Sequence, residues 1–278
     1  MSRGTKPLPP RAYTAFHDAC IEEIHEGHEK YGIPCLLALH TGMRRRLVVH
    51  YDDNWRRSTG EGEEISLPKQ VACTIRDNGG CTYCNDEETS APDGFLQPKT
   101  GAGEERAIPV FEEFYDPYKQ ETRPTELKRW LDYWFKTHDA GWGYQRSQFP
   151  VAVWRVAQRR HDAISQAHEG EVERHVVNER EIVPDVKPHD LRATWCTQCV
   201  RQGVKNSTIK DWGGWKNDGM IEHYRGFVGD KGGEGRARYG GTDDEMTPKD
   251  LMELLANNDA LDTDAIDQDM VDQIMESS

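Results

Sequence analysis

The sequence lacks any long apolar run. No stretch approaches the roughly 18 consecutive apolar residues that a membrane-spanning helix needs. The first stretch, MSRGTKPLPPRAYTAF, also lacks the apolar segment of a secretory signal peptide. The seven cysteines are odd in number, which argues against a disulfide framework. Together these absences predict a cytoplasmic protein.

Basic side chains are in the minority, and lysine is scarcer than arginine. The 278 residues include 49 acidic and 35 basic side chains (22 Arg and 13 Lys), so the net charge is −14. This composition favours solubility in very high salt; the alternative is an ordinary acidic cytosolic protein. Residues 229–278 hold 14 acids and 4 bases, which leaves −4 on the rest of the chain. A nearly balanced body does not exclude DNA binding, because the charge at the contacting face decides.

The apolar spacing predicts an α+β fold, mostly helical, with a small antiparallel β-sheet or hairpin. A strand is expected at 63–70 and a hairpin over 95–110, with Gly101 and Gly103 at its turn. Helices are expected at 11–32, 34–40, 126–138, 151–168, 188–203, 207–212 and 219–227. The length allows one large domain or two small ones, and a hydrophobic fraction of 36% is enough for a core.

Three regions follow from the composition. Residues 1–9 are predicted to be a flexible leader, residues 10–228 the main domain, and residues 229–278 an acidic linker and C-terminal tail. The main domain contains a cysteine-bearing insertion at about 71–90. The tail is either disordered solvating sequence or a helix that docks on a neighbouring subunit.

The segment from Pro188 to Phe227 carries the most specific pattern. His189 and Arg192 are three residues apart and share a helix face; Trp215 follows a Gly-Gly pair, and Tyr224 lies in a short polar helix. Upstream, Thr-Gly-Met-Arg ends at Arg44, and Lys99 lies within the expected hairpin. Each residue type alone is more often a packing or surface residue, so the combination is what carries weight.

This set resembles the catalytic domain of the tyrosine recombinase (phage integrase) family. That family uses an Arg in a TG-L/M-R motif, a hairpin Lys, an H-x-x-R pair, a His or Trp after Gly, and a Tyr nucleophile. The matching positions are Arg44, Lys99, His189, Arg192, Trp215 and Tyr224. The GGW…EHY form and the acidic composition are similar to the branch found in haloarchaea and their viruses or mobile elements.

The resemblance implies DNA cleavage and rejoining through a 3′-phosphotyrosyl intermediate. Arg44 and Arg192 would clamp the phosphate oxygens, and Tyr224 would attack phosphorus. Lys99 would protonate the departing 5′-oxygen. His189 would assist proton transfer or bond the phosphate, and the Trp215 N–H would donate one hydrogen bond. No cofactor is expected for this chemistry, because the arginines supply the positive charge.

The sequence departs from the family pattern in two places. Leu47 stands three residues after Arg44, where the family usually has an acidic residue; Asp52 and Asp53 are candidate substitutes. Arg44 also leaves room for only one or two helices before it, so a helical core-binding domain of about a hundred residues is not expected. Two alternatives to a site-specific recombinase therefore stay open. One is a DNA-binding remnant that regulates a related integrase, and the other is a type IB topoisomerase-like relaxing enzyme.

The insertion has the cysteine spacing of a metal site. Cys73, Cys81 and Cys84 form C-x7-C-x2-C, and three thiolates with a C-x2-C pair suit a structural zinc ion. The alternative is a set of thiols in a loop, and the fourth ligand is not evident, although His50 is a candidate. Cys196 and Cys199 have the same C-x2-C spacing inside a predicted helix, where a metal is not expected.

The expected partner is double-stranded DNA. On the family resemblance we expect a homo-oligomer (dimer or tetramer) on that DNA, an accessory DNA-binding partner to supplement the small N-terminal region, and no membrane. The residues predicted to contact DNA are basic ones outside the catalytic set: Arg45, Arg46, Arg56, Arg57, Lys205 and Lys210.

Overall fold

Helices form most of the fold, with short antiparallel strands between them, so the predicted mostly helical α+β class is confirmed. The computed structural model describes residues 5–60, 62–68, 71–73, 84, 95–96, 106–138, 141–144, 148–165, 175–177, 180–182, 186–226 and 228. Within these ranges, no helix is long and apolar enough to cross a membrane. The tail at 229–278 lies outside the described residues, so the two hypotheses for it stay open.

The helices are α1 (Pro10–His25), α2 (Glu29–Thr41), α3 (Arg45–Val49), α4 (Leu127–Thr137), α5 (Gln148–Arg159), α6 (His161–Ser165), α7 (Pro188–Arg201), α8 (Asn206–Gly213) and α9 (Gly219–Gly226). A 3₁₀ turn spans Asp53–Trp55. The strands are β1 (Arg56–Thr59), β2 (Gly62–Leu67), β3 (Val71–Ala72), β4 (Phe95–Leu96), β5 (Arg106–Val110), β6 (Glu113–Asp116), β7 (Glu121–Pro124), β8 (His175–Val177) and β9 (Arg180–Ile182).

The helix α2 is the centre of the fold. Every residue from Gly32 to Thr41 is buried, and the helix packs against α1, α4, α5 and α7. A helix that is apolar on all sides belongs in a core. Pro34 lies inside it and has no N–H, which leaves the carbonyl of Lys30 without its helical donor. The Tyr144 hydroxyl donates to that carbonyl instead.

Two predicted helices are each divided in the structure. The helix expected at 11–32 ends at His25, and α2 begins at Glu29, because Gly27 takes a left-handed conformation with φ 81°. The helix expected at 151–168 is likewise two helices, α5 and α6, which meet at Arg160. In both places the apolar pattern continues across the break, so periodicity alone did not locate it.

The expected hairpin over 95–110 is wrong in its pairing. Its first strand, β4, pairs with β3, and its second strand, β5, pairs with β2. The three-stranded sheet therefore has the order β1-β2-β5, with Leu67 opposite Arg106. The hairpin was predicted because Gly101 and Gly103 are typical turn residues. The partner strands instead lie upstream: β2 precedes the cysteine-bearing insertion, and β3 lies within it.

Part of the predicted leader is docked on α7. Leu8 is buried, and its N–H donates to Thr194 Oγ1 at 2.7 Å. The N–H of Lys6 donates to Asp190 Oδ1 at 3.0 Å. Residues 5–9 therefore cover α7 near its start and do not behave as a detached leader; residues 1–4 lie outside the described part of the chain.

Asp116 organises the join between the β6–β7 hairpin and α1. Its fully buried carboxylate accepts from Thr14 Oγ1 at 2.7 Å, from the backbone N–H groups of Tyr118 and Lys119 at 3.0 Å, and from Arg123 at 2.9 Å. Burial alone would raise the pKa of Asp116, but these hydrogen bonds outweigh it and hold the pKa below its ordinary value.

We expect Asp116→Asn to lower the free energy of unfolding by about 1–3 kcal/mol at neutral pH, because a buried charged acceptor is lost. A depressed carboxyl pKa stabilises the fold above the unfolded pKa of about 4, and that contribution is lost as the pH falls through the folded value. The wild type should therefore lose stability below about pH 4 more steeply than the variant. Urea unfolding at several pH values measures this.

The control is Glu113→Gln, which removes an exposed carboxylate from the same strand. It should leave both the stability and its pH dependence nearly unchanged. Equal effects of the two substitutions would contradict the role of Asp116.

Candidate active site

Arg192 is a buried arginine that joins three elements. Its Nη1 donates to the carbonyl of Gly42 at 2.5 Å, and its Nη2 donates to the carbonyl of Gly213 at 2.7 Å. Its guanidinium carbon lies 4.4 Å from the ring centre of Trp215. The side chain of α7 thus holds the C-terminal ends of α2 and α8 together, and it is only 2% exposed.

The start of α7 is fixed locally by its sequence. Pro188 occupies the first helical position, where its missing N–H costs nothing. Asp190 Oδ2 accepts from the backbone N–H of Lys187 at 2.9 Å, which caps the first turn. His189 lies in this turn, partly buried, one turn before Arg192. The predicted H-x-x-R pair therefore lies on a capped helix.

Arg44 and Arg106 approach Arg192 closely enough to disturb it. Burial lowers the pKa of Arg192, and the positive charges of Arg44 and Arg106 lower it further. Burial and Arg44 together lower the pKa of Arg106 to about 9, so its guanidinium remains charged near neutral pH. Arg44 follows the left-handed Gly42 and precedes α3, so a glycine turn at the end of α2 presents it. Three cations from different elements therefore meet in one place.

Arg106 is the site residue that sequence reasoning missed. It begins β5 and lies against Gly214, where a Cβ atom would fall 1.3 Å from Arg106 Nη1. Its Nε and Nη2 are buried and have no hydrogen-bond acceptor among the described residues. Its sequence signal was weak: it begins an alternating strand, seven residues after Lys99.

Tyr224 lies on α9, packed in a small apolar cluster with residues of α7 and α8. It is 1% exposed. Burial raises the pKa of its hydroxyl, and the positive charge of Arg192 offsets only part of that rise. The hydroxyl is therefore protonated at neutral pH, next to a cation that would stabilise the phenolate.

His223 stands beside Tyr224 and was not singled out from the sequence. The two ring centres are 5.3 Å apart in an edge-on arrangement. Burial lowers the pKa of His223, so its imidazole is neutral at physiological pH. A neutral imidazole can accept a proton.

The remaining predicted catalytic residues fall into two groups. Trp215 is partly buried and covers Arg192, and its ring centre lies 6.2 Å from that of Trp195. Lys99 lies outside the described residues, so its predicted role stays a prediction. The structure thus brings Arg44, Arg192, Trp215 and Tyr224 together.

The predicted DNA-contacting residues differ in their surroundings. Arg57 and Lys205 are exposed, whereas Arg46 is buried. Lys210 pairs with Asp218 at 3.1 Å. Arg45 is partly exposed at the start of α3.

Arg56 is surrounded by carboxylates. It contacts Asp132 at 2.6 Å, Asp53 at 3.0 Å and Glu63 at 3.6 Å. An arginine paired in this way contributes to the fold. The neighbouring carboxylates neutralise most of its positive charge, so it would attract a DNA phosphate only weakly.

The carboxylate expected beside the first arginine is replaced by apolar packing. Leu47 is 1% exposed and lies in the main core. Neither candidate substitute is placed to replace it: Asp52 accepts from the N–H of Asn54 at 2.9 Å, and Asp53 pairs with Arg56. At this site, backbone carbonyl groups hold Arg192.

Residues 124–227 match the phage integrase family. The matched segment is just over a third of the chain, and it contains His189, Arg192, Trp215 and Tyr224. Arg44 and Arg106 lie before it. No curated protein matches the chain.

Solved structures of a transposon integrase and of a site-specific recombinase are similar to this chain. A Tn1549 transposon integrase in complex with circular intermediate DNA is similar over 91% of this chain and 68% of its own, with TM-score 0.50 and 16% identity. Another Tn1549 integrase complex is similar over 80% of this chain and 62% of its own (TM-score 0.49, 15% identity). The XerH site-specific recombinase bound to its palindromic substrate is similar over 81% of this chain and 50% of its own (TM-score 0.46, 10% identity).

The chain thus spans 62% of the length of the second of these integrase chains and half of the length of the XerH chain. The described residues have the fold of a tyrosine recombinase catalytic domain, as predicted.

We expect Gly214→Ala to lower the free energy of unfolding by about 2–4 kcal/mol. About 1–2 kcal/mol comes from its left-handed backbone, with φ 66°, and the remainder from displacing the Arg106 guanidinium. Denaturant titration measures the loss.

Gly203→Ala is the matched control. Gly203 follows α7 with a similar φ of 75°, but nothing lies within 4 Å of its added Cβ. It should show only the backbone cost of about 1–2 kcal/mol. Equal losses in the two variants would contradict the close packing of Arg106 on Gly214.

Proposed function

We propose that this protein is a site-specific DNA recombinase or integrase, which cleaves and rejoins DNA through a 3′-phosphotyrosyl intermediate. The observation that carries the proposal is the convergence of Arg44, Arg106 and Arg192, together with the buried Tyr224 whose pKa Arg192 affects. The match of residues 124–227 to the phage integrase family supports the same reaction class.

The arginine cluster suits a phosphodiester better than any neutral ligand. Like charges held together in a buried site repel one another, and an anion relieves that repulsion. The buried Nε and Nη2 donors of Arg106 suit phosphate oxygens, which accept charge-assisted hydrogen bonds. In an in-line displacement, negative charge spreads over those oxygens, so preorganised guanidiniums stabilise the transition state.

Tyr224 supplies the nucleophile. Its Oη attacks the phosphorus, the bond from phosphorus to the 5′-oxygen breaks, and a 3′-phosphotyrosyl bond forms. The Tyr224 proton passes to a base, for which the neutral imidazole of His223 is a candidate, and a general acid, assigned to Lys99, protonates the departing 5′-oxygen. His189 assists proton transfer or bonds the phosphate. Attack by a 5′-hydroxyl of a second strand reverses the step and completes rejoining, so bond energy is conserved without ATP.

The partners follow from the reaction. Exchange of strands needs double-stranded DNA and more than one copy of the chain, so a dimer or tetramer on DNA is part of the proposal. The Tn1549 integrase and XerH structures are both complexes with DNA. The excess of acids and of arginine over lysine supports a haloarchaeal, salt-adapted version from a mobile element, acting in the cytoplasm.

A suicide substrate tests the nucleophile. Nicked duplexes taken from the DNA that flanks the gene would be incubated with the chain in molar KCl, and denaturing gels would reveal covalent adducts. We expect an adduct with the wild type and none with Tyr224→Phe, since only the hydroxyl is removed. Both proteins should bind the duplex equally.

Tyr115→Phe is the control, because Tyr115 is an exposed tyrosine on β6. It should form the adduct as the wild type does. If the wild type binds DNA without forming an adduct, the binding-only alternative is correct, and the absence of a carboxylate at Leu47 favours that alternative. Recombinant product, as opposed to relaxed circles, separates a recombinase from a type IB topoisomerase-like enzyme.

A second test isolates Arg106. At saturating DNA, we expect Arg106→Ala to slow adduct formation about 10²–10³-fold, the usual cost of losing a donor to a developing oxyanion. Single-turnover kinetics measures the rate. Arg129→Ala removes an exposed arginine on α4 and should leave the rate unchanged. An unchanged rate in Arg106→Ala would exclude a phosphate contact.

A further inference from the structure

Three metal-ligating side chains from separate parts of the sequence meet outside the arginine site. Cys84 Sγ lies 3.2 Å from His50 Nε2, and Cys73 Sγ lies 3.6 Å from the same nitrogen. All three ligand atoms lie within 4.8 Å of one another. His50 and Cys84 are buried, and Cys73 is partly buried.

The hydrogen bond on the other side of the ring orients His50 for a metal. Its Nδ1 lies 2.7 Å from the backbone carbonyl of Arg46, so Nδ1 carries the proton and Nε2 presents its lone pair to the sulfurs. A backbone carbonyl behind a histidine in this way is the usual second contact of a metal-bound imidazole.

A thiol–imidazole hydrogen bond uses the Nε2 lone pair for one sulfur atom. The single lone pair on Nε2 accepts one S–H, yet two sulfurs converge on it. One cation bound to both thiolates and to the imidazole satisfies all three groups.

The separations fit tetrahedral zinc. With Zn–N of about 2.0–2.1 Å and Zn–S of about 2.3 Å, tetrahedral angles place nitrogen and sulfur about 3.5 Å apart. The observed distances of 3.2 and 3.6 Å bracket that value. Thiolate and imidazole together are the donor set of structural zinc sites, whereas calcium and magnesium prefer oxygen.

We propose that His50, Cys73 and Cys84 hold a structural zinc ion. Cys81, the third cysteine of the set predicted from the sequence, lies outside the described residues, so its role as a ligand stays a prediction. Cys196 and Cys199 have a C-x2-C spacing on α7, where burial raises the pKa of both thiols; they behave as core residues.

The zinc ion would connect the cysteine-bearing insertion to the arginine site. His50 follows the last residue of α3, and Arg44 precedes the first. Cys73 follows β3, whose partner β4 belongs to the segment that leads to β5 and Arg106. Arg44 and His50 therefore flank the same short helix, α3.

The test uses the full chain, purified with zinc and a reductant and then desalted. Elemental analysis should give one zinc ion per chain. Replacement by Co²⁺ should produce a thiolate-to-cobalt charge-transfer band and the visible bands of tetrahedral cobalt. His50→Gln and Cys84→Ser should lose the metal or bind it at least tenfold more weakly, the usual cost of a perturbed site.

Cys199→Ala is the matched control, because it removes a buried thiol far from the cluster in sequence, and it should retain full zinc content. Wild-type protein that holds no zinc and gives no thiolate–cobalt band would overturn the proposal, whether or not the variants fold. Full zinc content in both His50→Gln and Cys84→Ser would overturn it as well.

Discussion

The buried guanidinium of Arg192 is the interaction on which the site depends. It donates to carbonyl groups at the ends of α2 and α8, and Trp215 covers its face. Hydrogen bonds to a charged group contribute about 1.5–3 kcal/mol each, and an unpaired buried charge costs more. The helices α2, α7 and α8 therefore have one mutual arrangement in which Arg192 makes both hydrogen bonds. The same arrangement puts Gly42 two residues before Arg44 at the site, and it puts Gly214 against Arg106.

The same arrangement is destabilised by electrostatic repulsion among positive charges. Backbone carbonyls hold Arg192, yet they do not neutralise it, and Arg44 and Arg106 add two positive charges nearby. In most proteins a carboxylate would neutralise such a cluster; here Leu47 is apolar, and Asp52 and Asp53 interact elsewhere. In the proposed function a phosphodiester supplies the missing negative charge, which would account for a basic site in a protein of net charge −14.

Short-range sequence motifs predicted several residues of the site correctly, but they did not predict which strands pair. Spacing within one helix placed His189 beside Arg192, and the Gly turn placed Arg44 at the end of α2. Strand partners were harder, because pairing of β5 with β2 joins residues about forty positions apart across an insertion. Arg106 was missed for the same reason, since only the long-range packing of Gly214 brings it to the site. His50 was a candidate ligand only because histidine is a residue type that binds zinc. The sequence could not show that the fold brings it beside Cys73 and Cys84.

The most direct test of the arginine site is a crystal structure of the chain with cleaved DNA half-sites and vanadate, which imitates the phosphoryl group in transfer. The account predicts vanadium bonded to the Tyr224 Oη, with its equatorial oxygens accepting hydrogen bonds from Arg44, Arg106 and Arg192. Vanadate bound at another surface, or DNA bound with the three arginines turned away from every phosphate, would contradict it.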